Sequence, residues 1–174
     1  MVLKIKNIDY KDWSSSWKSS KNSRKQRKYI INAPLHIRGK IISSMLSKDI
    51  KNLIKINSLP LRVGDYVKVL RGKYRNTEGF VIYIDRKRYK VYIDNIKFTN
   101  KANREVYRPI HSSKLLILRL NLKDKKRIEI IKRKMKSKNI EENKIEELVN
   151  QLVNNFSVKE DELAKVTELN KKFK

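Results

Sequence analysis

Apolar and polar positions alternate along the middle of the chain. Val67 and Val69 flank Lys68, and Val91 and Ile93 alternate with Lys90, Tyr92 and Asp94. A period of two places one set of side chains on a single face of a strand. Gly79 to Ile84 is almost wholly apolar, which predicts a strand packed on both faces, and Leu115 to Leu118 predicts a final one. Gly64, Gly72 and Gly79 punctuate these segments. Short strands at such close spacing predict a small twisted barrel over residues 61–120, so the fold class reads as mainly β.

The flanks change period. Residues 1–33 have few periodic apolar positions and read as an extended arm. Asn32-Ala33-Pro34 bars a helix there, because the residue before proline is pushed towards extended geometry. Further on, Ile37, Ile41 and Met45 recur at spacing four, followed by Ile50, Leu53 and Ile54. This predicts short helices between Leu35 and Ile56, the second capped by Ser47. From Leu122 to Lys138 a helical pattern returns, with Ile128 and Ile131 set among lysines and arginines. Beyond it Ile145, Leu148, Val149, Leu152 and Phe156 form one stripe. Ser157-Val158-Lys159-Glu160 has the form of a capping box opening a further helix with Leu163, Val166 and Leu169. The chain thus divides into an arm with short helices (1–60), the barrel (61–120), a basic helix (121–140) and a C-terminal amphipathic helical extension (141–174).

Charge says what these segments meet. Lys plus Arg number 44 against 18 Asp plus Glu, a formal net charge of +26. Such an excess opposes compaction and needs a polyanion to relieve it. Nucleic acid is the first candidate and an anionic membrane surface the second. No run of about 18 apolar residues is present, and the N-terminus lacks the apolar core of a signal peptide. No membrane span is expected, and the chain reads as soluble and intracellular. The excess is confined to residues 1–140; residues 141–174 hold six basic and eight acidic side chains, which predicts a different role for them.

Metal, cofactor and catalytic chemistry find little support. The absence of cysteine excludes disulfides and thiolate metal sites, and two histidines, His36 and His111, do not make a histidine-rich one. No Gly-rich phosphate loop and no nucleophile–base pairing occurs. Glu141-Glu142 and Glu146-Glu147 read as the solvated face of the tail. Neither an enzyme nor a cofactor is expected.

The informative stretch is VGDYVKVLRGKYRNTEGFVIYID, Val63 to Asp85, which reads as a strand, a basic turn and a second strand. Gly72 allows a tight turn with positive φ, and Arg71, Lys73, Tyr74 and Arg75 lie around its tip. Cations there suit phosphate, and an aromatic face suits stacking on an unpaired base; the bland reading of Tyr74 is a solvated turn tyrosine. Gly79 lets the backbone bend or approach a neighbour closely and serves the fold.

This stretch resembles a KOW motif, with Gly79 at the motif's characteristic glycine. KOW modules also occur in transcription elongation factors, and the flanks narrow the choice. SRKQRKYIINAPLHIRGKIISSMLSKDI, Ser23 to Ile50, is similar to the N-terminal arm of the L-twenty-four family of large-subunit ribosomal proteins, in its eukaryotic and archaeal branch. YRPIHSSKLLILRLNLKDKKR, Tyr107 to Arg127, is similar to that family's last strand and basic helix. The resemblance implies an SH3-like barrel that binds the 5′ region of the large-subunit RNA, acts early in assembly and lies near the nascent-chain exit. It implies cytoplasmic ribosomes as the location, with nuclear or nucleolar passage during assembly. The family pattern has Lys-Gly where this chain has Arg75-Asn76, a basic residue at Gly39, and proline at Met45 and Ser112. An elongation-factor module would need a polymerase-binding domain that 174 residues do not supply.

RNA contacts are then expected from four regions. In the arm, Lys18, Lys21, Arg24, Lys25, Arg27 and Lys28 fall within eleven residues, enough to make binding steeply salt-dependent; a solvated tail or a nuclear import signal is the plain alternative. Asn32, His36, Arg38 and Lys40 follow, with His36 a hydrogen-bonding or packing group rather than a catalytic one. Arg86, Lys87 and Arg88 form a loop cluster, either facing RNA or merely solvated. His111, Lys114, Arg119, Lys125, Lys126, Arg127 and Arg133 make a further surface. Trp13 and Trp17, four apart, share one helical face and serve either as an anchor or as a local clasp. The tail's stripe is expected to dock on a neighbouring ribosomal protein, with a hairpin of its two helices as the alternative, because short isolated helices are marginal in water.

Overall fold

The protein is described here by a computed structural model covering residues 13–138 and 140–173. The first twelve residues of the expected arm lie outside the described residues. Eight strands appear: β1 Ser43–Leu46, β2 Ser58–Pro60, β3 Tyr66–Val69, β4 Glu78–Asp85, β5 Lys90–Ile93, β6 Lys97–Thr99, β7 Glu105–Tyr107 and β8 Leu115–Arg119. Six of them form one sheet in the order β2-β1-β8-β3-β4-β5, while β6 and β7 form a separate hairpin. All neighbours are antiparallel except β1 and β8. Register shifts between Tyr66 and Val67 and between Val81 and Tyr83 bend the sheet.

The expected strands are present, but the closed barrel is not: β2 and β5 are the edges of an open sheet. Mainly β holds for the core alone, since helix (44 %) exceeds strand (24 %). Val81 and Ile82 are both fully buried. Val81 joins the main core cluster, Ile82 does not, and the helix Glu160–Phe173 packs along β4, so β4 is covered on both sides, as its apolar run predicts. Gly79 makes this possible. A Cβ there would stand 2.2 Å from Asp94 Oδ1 and 2.8 Å from Ile93 Cγ2, so the constraint is a close approach and not a backbone angle. Gly72 does sit at φ +105, in the tight turn. Asn76 at φ +67 takes the left-handed conformation where the family pattern has glycine, as short amides do.

Three segments depart from the expected elements. The helical spacing across Ile37, Ile41 and Met45 ends early: α2 spans Leu35–Ile41, then β1 begins, and α3 follows at Lys48–Ile54. A period of two was hidden there, since Ile42, Ser44 and Leu46 point inward while Met45 is exposed. Ser47 does cap α3, accepting from Ile50 N–H at 3.4 Å.

The arm is helical rather than extended, with a 3-10 turn at Ser15–Ser19 and α1 at Ser23–Ile31. Asn22 caps α1 through Arg24 N–H at 2.9 Å, and good helix formers fill it. It ends before Ala33-Pro34, as proline requires. Trp13 makes the local clasp: its ring stacks on Tyr29 at 5.5 Å and its Nε1 donates to Tyr29 O at 3.1 Å.

The tail departs most. Helix α4 (Lys125–Lys136) is followed by α5 (Glu142–Phe156) and α6 (Glu160–Phe173). Ile145, Val149 and Leu152 of α5 are buried in the same core as Ile50, Ile54, Ile131 and Met135, because α5 packs on α3 and α4. Leu120 N–H donates to Phe156 O, and Val158 N–H donates to Leu120 O, extending β8. α6 lies along β4 and buries Val166. The stripe therefore needs neither a neighbouring protein nor a two-helix hairpin; it completes this chain's own core. The expected capping box is displaced too: Glu162, not Glu160, reaches back, accepting from Lys159 N–H at 3.3 Å.

Candidate nucleic-acid interface

Among the described residues, three exposed cationic surfaces stand out. The first is α1. No acidic residue occurs from Trp13 to Lys48, and Lys21, Arg24, Lys25, Arg27 and Lys28 are all exposed. Arg24, Arg27, Lys28 and Asn32 line one hollow beside it.

Arg38 fixes this helix to the body. Expected at the RNA surface, its side chain is instead buried. Nη2 donates to Ile31 O (2.6 Å), Nε to Ala33 O (2.7 Å) and Nη1 to Lys87 O (3.0 Å). Its guanidinium lies 5.6 Å from the centre of the Tyr89 ring, and Tyr89 Oη donates to Ile30 O. The end of α1 is thereby tied to the β4–β5 turn, where Arg86, Lys87 and Arg88 are exposed. That turn is shaped by Asp85, whose Oδ1 accepts from Lys87 N–H (2.9 Å) and Arg88 N–H (3.1 Å).

The second surface is a groove of about 760 Å³ with an apolar floor that includes Leu59, Pro60 and Ile84. His36, Lys40 and Arg86 line it, together with Arg62 and Lys123, which the sequence reading did not single out. The third is a recess of about 190 Å³ that gathers Arg71, Lys73, His111 and Lys114 from separate segments. Lys90 and Arg108, also overlooked, complete it. Their sequence signal was slight: Lys90 opens a strand and Arg108 follows one, and the pairing of β4 with β5 and the Val91–Ile110 bridge bring them near the turn.

Other expected contacts serve the fold. Tyr74 does not project from the turn tip; it is half-buried against the core, and its hydroxyl faces Lys97 O at 3.4 Å, while Lys73 and Arg75 beside it are exposed. Arg119 lies over the Tyr66 ring at 4.5 Å and pairs with Glu162 at 3.1 Å. Arg127, only 3 % exposed, forms a buried ion pair with Asp65. The face of α4 that remains free carries Lys125, Lys126 and Arg133. Its Lys134 is turned in towards Ser58 O (2.9 Å), and burial pushes its ammonium below the usual lysine range. His111 Nδ1 accepts from Ser113 N–H, so the imidazole caps the 3-10 turn Ser112–Lys114 while staying exposed.

Residues 20–134 match the model of a known family, that of the ribosomal proteins called L26 in eukaryotes and of their archaeal L-twenty-four counterparts. The chain belongs to this family. Two relatives in it are both named large ribosomal subunit protein uL24. That of Nanoarchaeum equitans (strain Kin4-M) is 47 % identical over 147 residues, covering 84 % of this chain and 95 % of the relative. That of Korarchaeum cryptofilum (strain OPF8) is 52 % identical over 117 residues, 67 % of this chain and 88 % of the relative. The segment matched by the family model holds all three cationic surfaces and excludes α5 and α6. Among the described residues no helix is long and apolar enough to cross a membrane.

Proposed function

We propose that this protein is a structural constituent of the large ribosomal subunit, holding ribosomal RNA on the three cationic surfaces and on the free face of α4. The observation that carries the proposal is their coincidence with the family segment: the exposed cations from Lys21 to Arg133 fall within residues 20–134. The curved sheet acts as the SH3-like KOW scaffold of the family. It holds the Lys73–Arg75 turn and the Arg86–Arg88 turn rigid while α1 reaches away from it. Phosphates are neutralised from several sides, so distant RNA helices are drawn together. Contact with the 5′ region of the RNA, a place near the nascent-chain exit and a step early in assembly belong to the same proposal. So do the cytoplasmic location in ribosomes and nuclear passage.

The reading as a KOW module of a transcription elongation factor is not favoured, because the relatives carry ribosomal names. Filter binding of the purified protein to 5′ and 3′ fragments of large-subunit RNA across a salt series tests the proposal. Tighter binding to the 5′ fragment is expected, with a steep salt slope. Equal, weak binding to both would overturn the choice of region.

A further inference from the structure

The recess beside the Gly72 turn gathers cations that are far apart in sequence. Arg71 comes from the β3–β4 turn with Lys73, Lys90 opens β5, Arg108 follows β7, His111 precedes the 3-10 turn before β8 and Lys114 ends it. Three separate segments, 71–73, 90 and 108–114, thus deliver five cations and an imidazole to one hollow of about 190 Å³. No carboxylate lines it, and among the described residues none of the five forms an ion pair. Other cations on or beside the sheet do meet acids, as in Arg119–Glu162, Lys68–Glu78 and Arg62–Asp124. Converging like charges without a counter-charge costs energy in the free protein, and the Arg108 guanidinium lies over the face of Phe98, 5.7 Å away.

We propose that this recess is a phosphate-binding site that clamps one sharply bent RNA strand, taking two or more of its backbone phosphates together. The inference rests on the RNA-binding reading above. One phosphodiester carries a single negative charge, so five cations exceed what one can neutralise. A bend that brings successive phosphates close is opposed by their mutual repulsion, and the recess supplies the compensating charge. Arginine at two of the positions offers two-pronged contacts, lysine at three a mobile point charge. The small volume excludes a base pair while admitting phosphate groups.

The test uses the full chain with the 5′ fragment of large-subunit RNA, and phosphate ethylation interference to neutralise one phosphate at a time. Two variants are compared: Lys90→Gln with Arg108→Gln, and Lys48→Gln with Lys51→Gln, two exposed lysines outside the proposed RNA surfaces. The unmodified protein is expected to show a short run of neighbouring phosphates whose ethylation blocks binding. The first variant loses that run, its salt slope shallows by about 1.5 and its affinity falls on the order of tenfold, with the melting temperature unchanged. The second variant keeps the run. In parallel, the His111 imidazole NMR signals of the free protein are titrated with inorganic pyrophosphate, and the first variant should respond at least several-fold more weakly. An unchanged interference pattern together with an unchanged pyrophosphate response overturns the recess and leaves RNA binding standing. Failure of the unmodified protein to bind the RNA sinks the broader reading, and the pyrophosphate titration then decides the recess by itself.

Discussion

Arg127 and Asp65, sixty-two residues apart in sequence, meet in a two-point buried ion pair. Nη1 lies 2.6 Å from Oδ1 and Nη2 lies 2.8 Å from Oδ2. Asp65 also accepts from the backbone N–H groups of Arg62 and Asn121, and Arg127 donates to Asn121 O and Pro60 O. The pair joins α4 to the turn that leads into β3. Removing one partner strands a buried charge, which costs about 3–5 kcal/mol. Asp65→Ala should therefore lower the denaturation midpoint sharply, while Lys125→Ala on the exposed face of the same helix should not. Equal stability of the two variants would show that the pair is dispensable.

Asp94 gives the fold a pH dependence. Burial pushes its carboxyl above the ordinary carboxylate range, although backbone N–H groups of Asn95 and Phe80 partly oppose the shift. The folded state then holds this proton more tightly than the unfolded chain does, so the group's contribution weakens as pH rises through the window between the two values. Asp94→Asn keeps an Oδ1 acceptor and removes the charge. The variant should be the more stable protein at pH 7. Its advantage should vanish below the ordinary value of 3.8, where the wild-type carboxyl is protonated in both states. Urea midpoints across pH measure this, and a pH-independent difference would contradict it.

The turn after Gly72 separates binding from folding. Lys73 and Arg75 are exposed, whereas Tyr74 packs against the core. Replacing Lys73 and Arg75 by Ala should weaken RNA binding about tenfold, as expected for two lost phosphate contacts, and leave the melting temperature unchanged. Tyr74→Ala should do the reverse, losing on the order of 1–2 kcal/mol of stability from a half-buried aromatic ring. Paired affinity and melting data decide; a Tyr74→Ala protein of full stability and reduced affinity would return the ring to the RNA surface.

Ending the chain before Glu141 removes α5 and α6, and with them the buried Ile145, Val149, Leu152, Val158 and Val166. Each such side chain is worth roughly 1.5–3 kcal/mol, so the shortened protein should unfold or melt at a much lower temperature. Native stability in the shortened form, with only a protein neighbour lost, would restore the docking role.

Local pattern carried much of this architecture. The strand alternation at Val67–Val69 and Val91–Ile93, the cap at Ser47 and the close approach at Gly79 were legible because each depends on neighbours in sequence or on one glycine. β1 was not, because Ile42, Ser44 and Leu46 hold a strand period within residues that also satisfy a helical spacing. The fate of the arginines was less legible still. Arg38, Arg119 and Arg127 look like Arg24 or Arg86 in sequence; the burial of Arg38 against Tyr89 and of Arg127 against Asp65, and the stacking of Arg119 on Tyr66, are set by contacts tens of residues away. The tail's stripe gave the correct helices, but periodicity cannot say whether the covering surface belongs to this chain or to another.

Membership of the large subunit is the central claim, and sedimentation tests it most directly. Tagged protein expressed in its own cells should migrate with the large-subunit particle through a sucrose gradient, stay there in moderate salt, and be released only when the salt competes with its phosphate contacts. Migration at the top of the gradient, or with RNA polymerase, would contradict it.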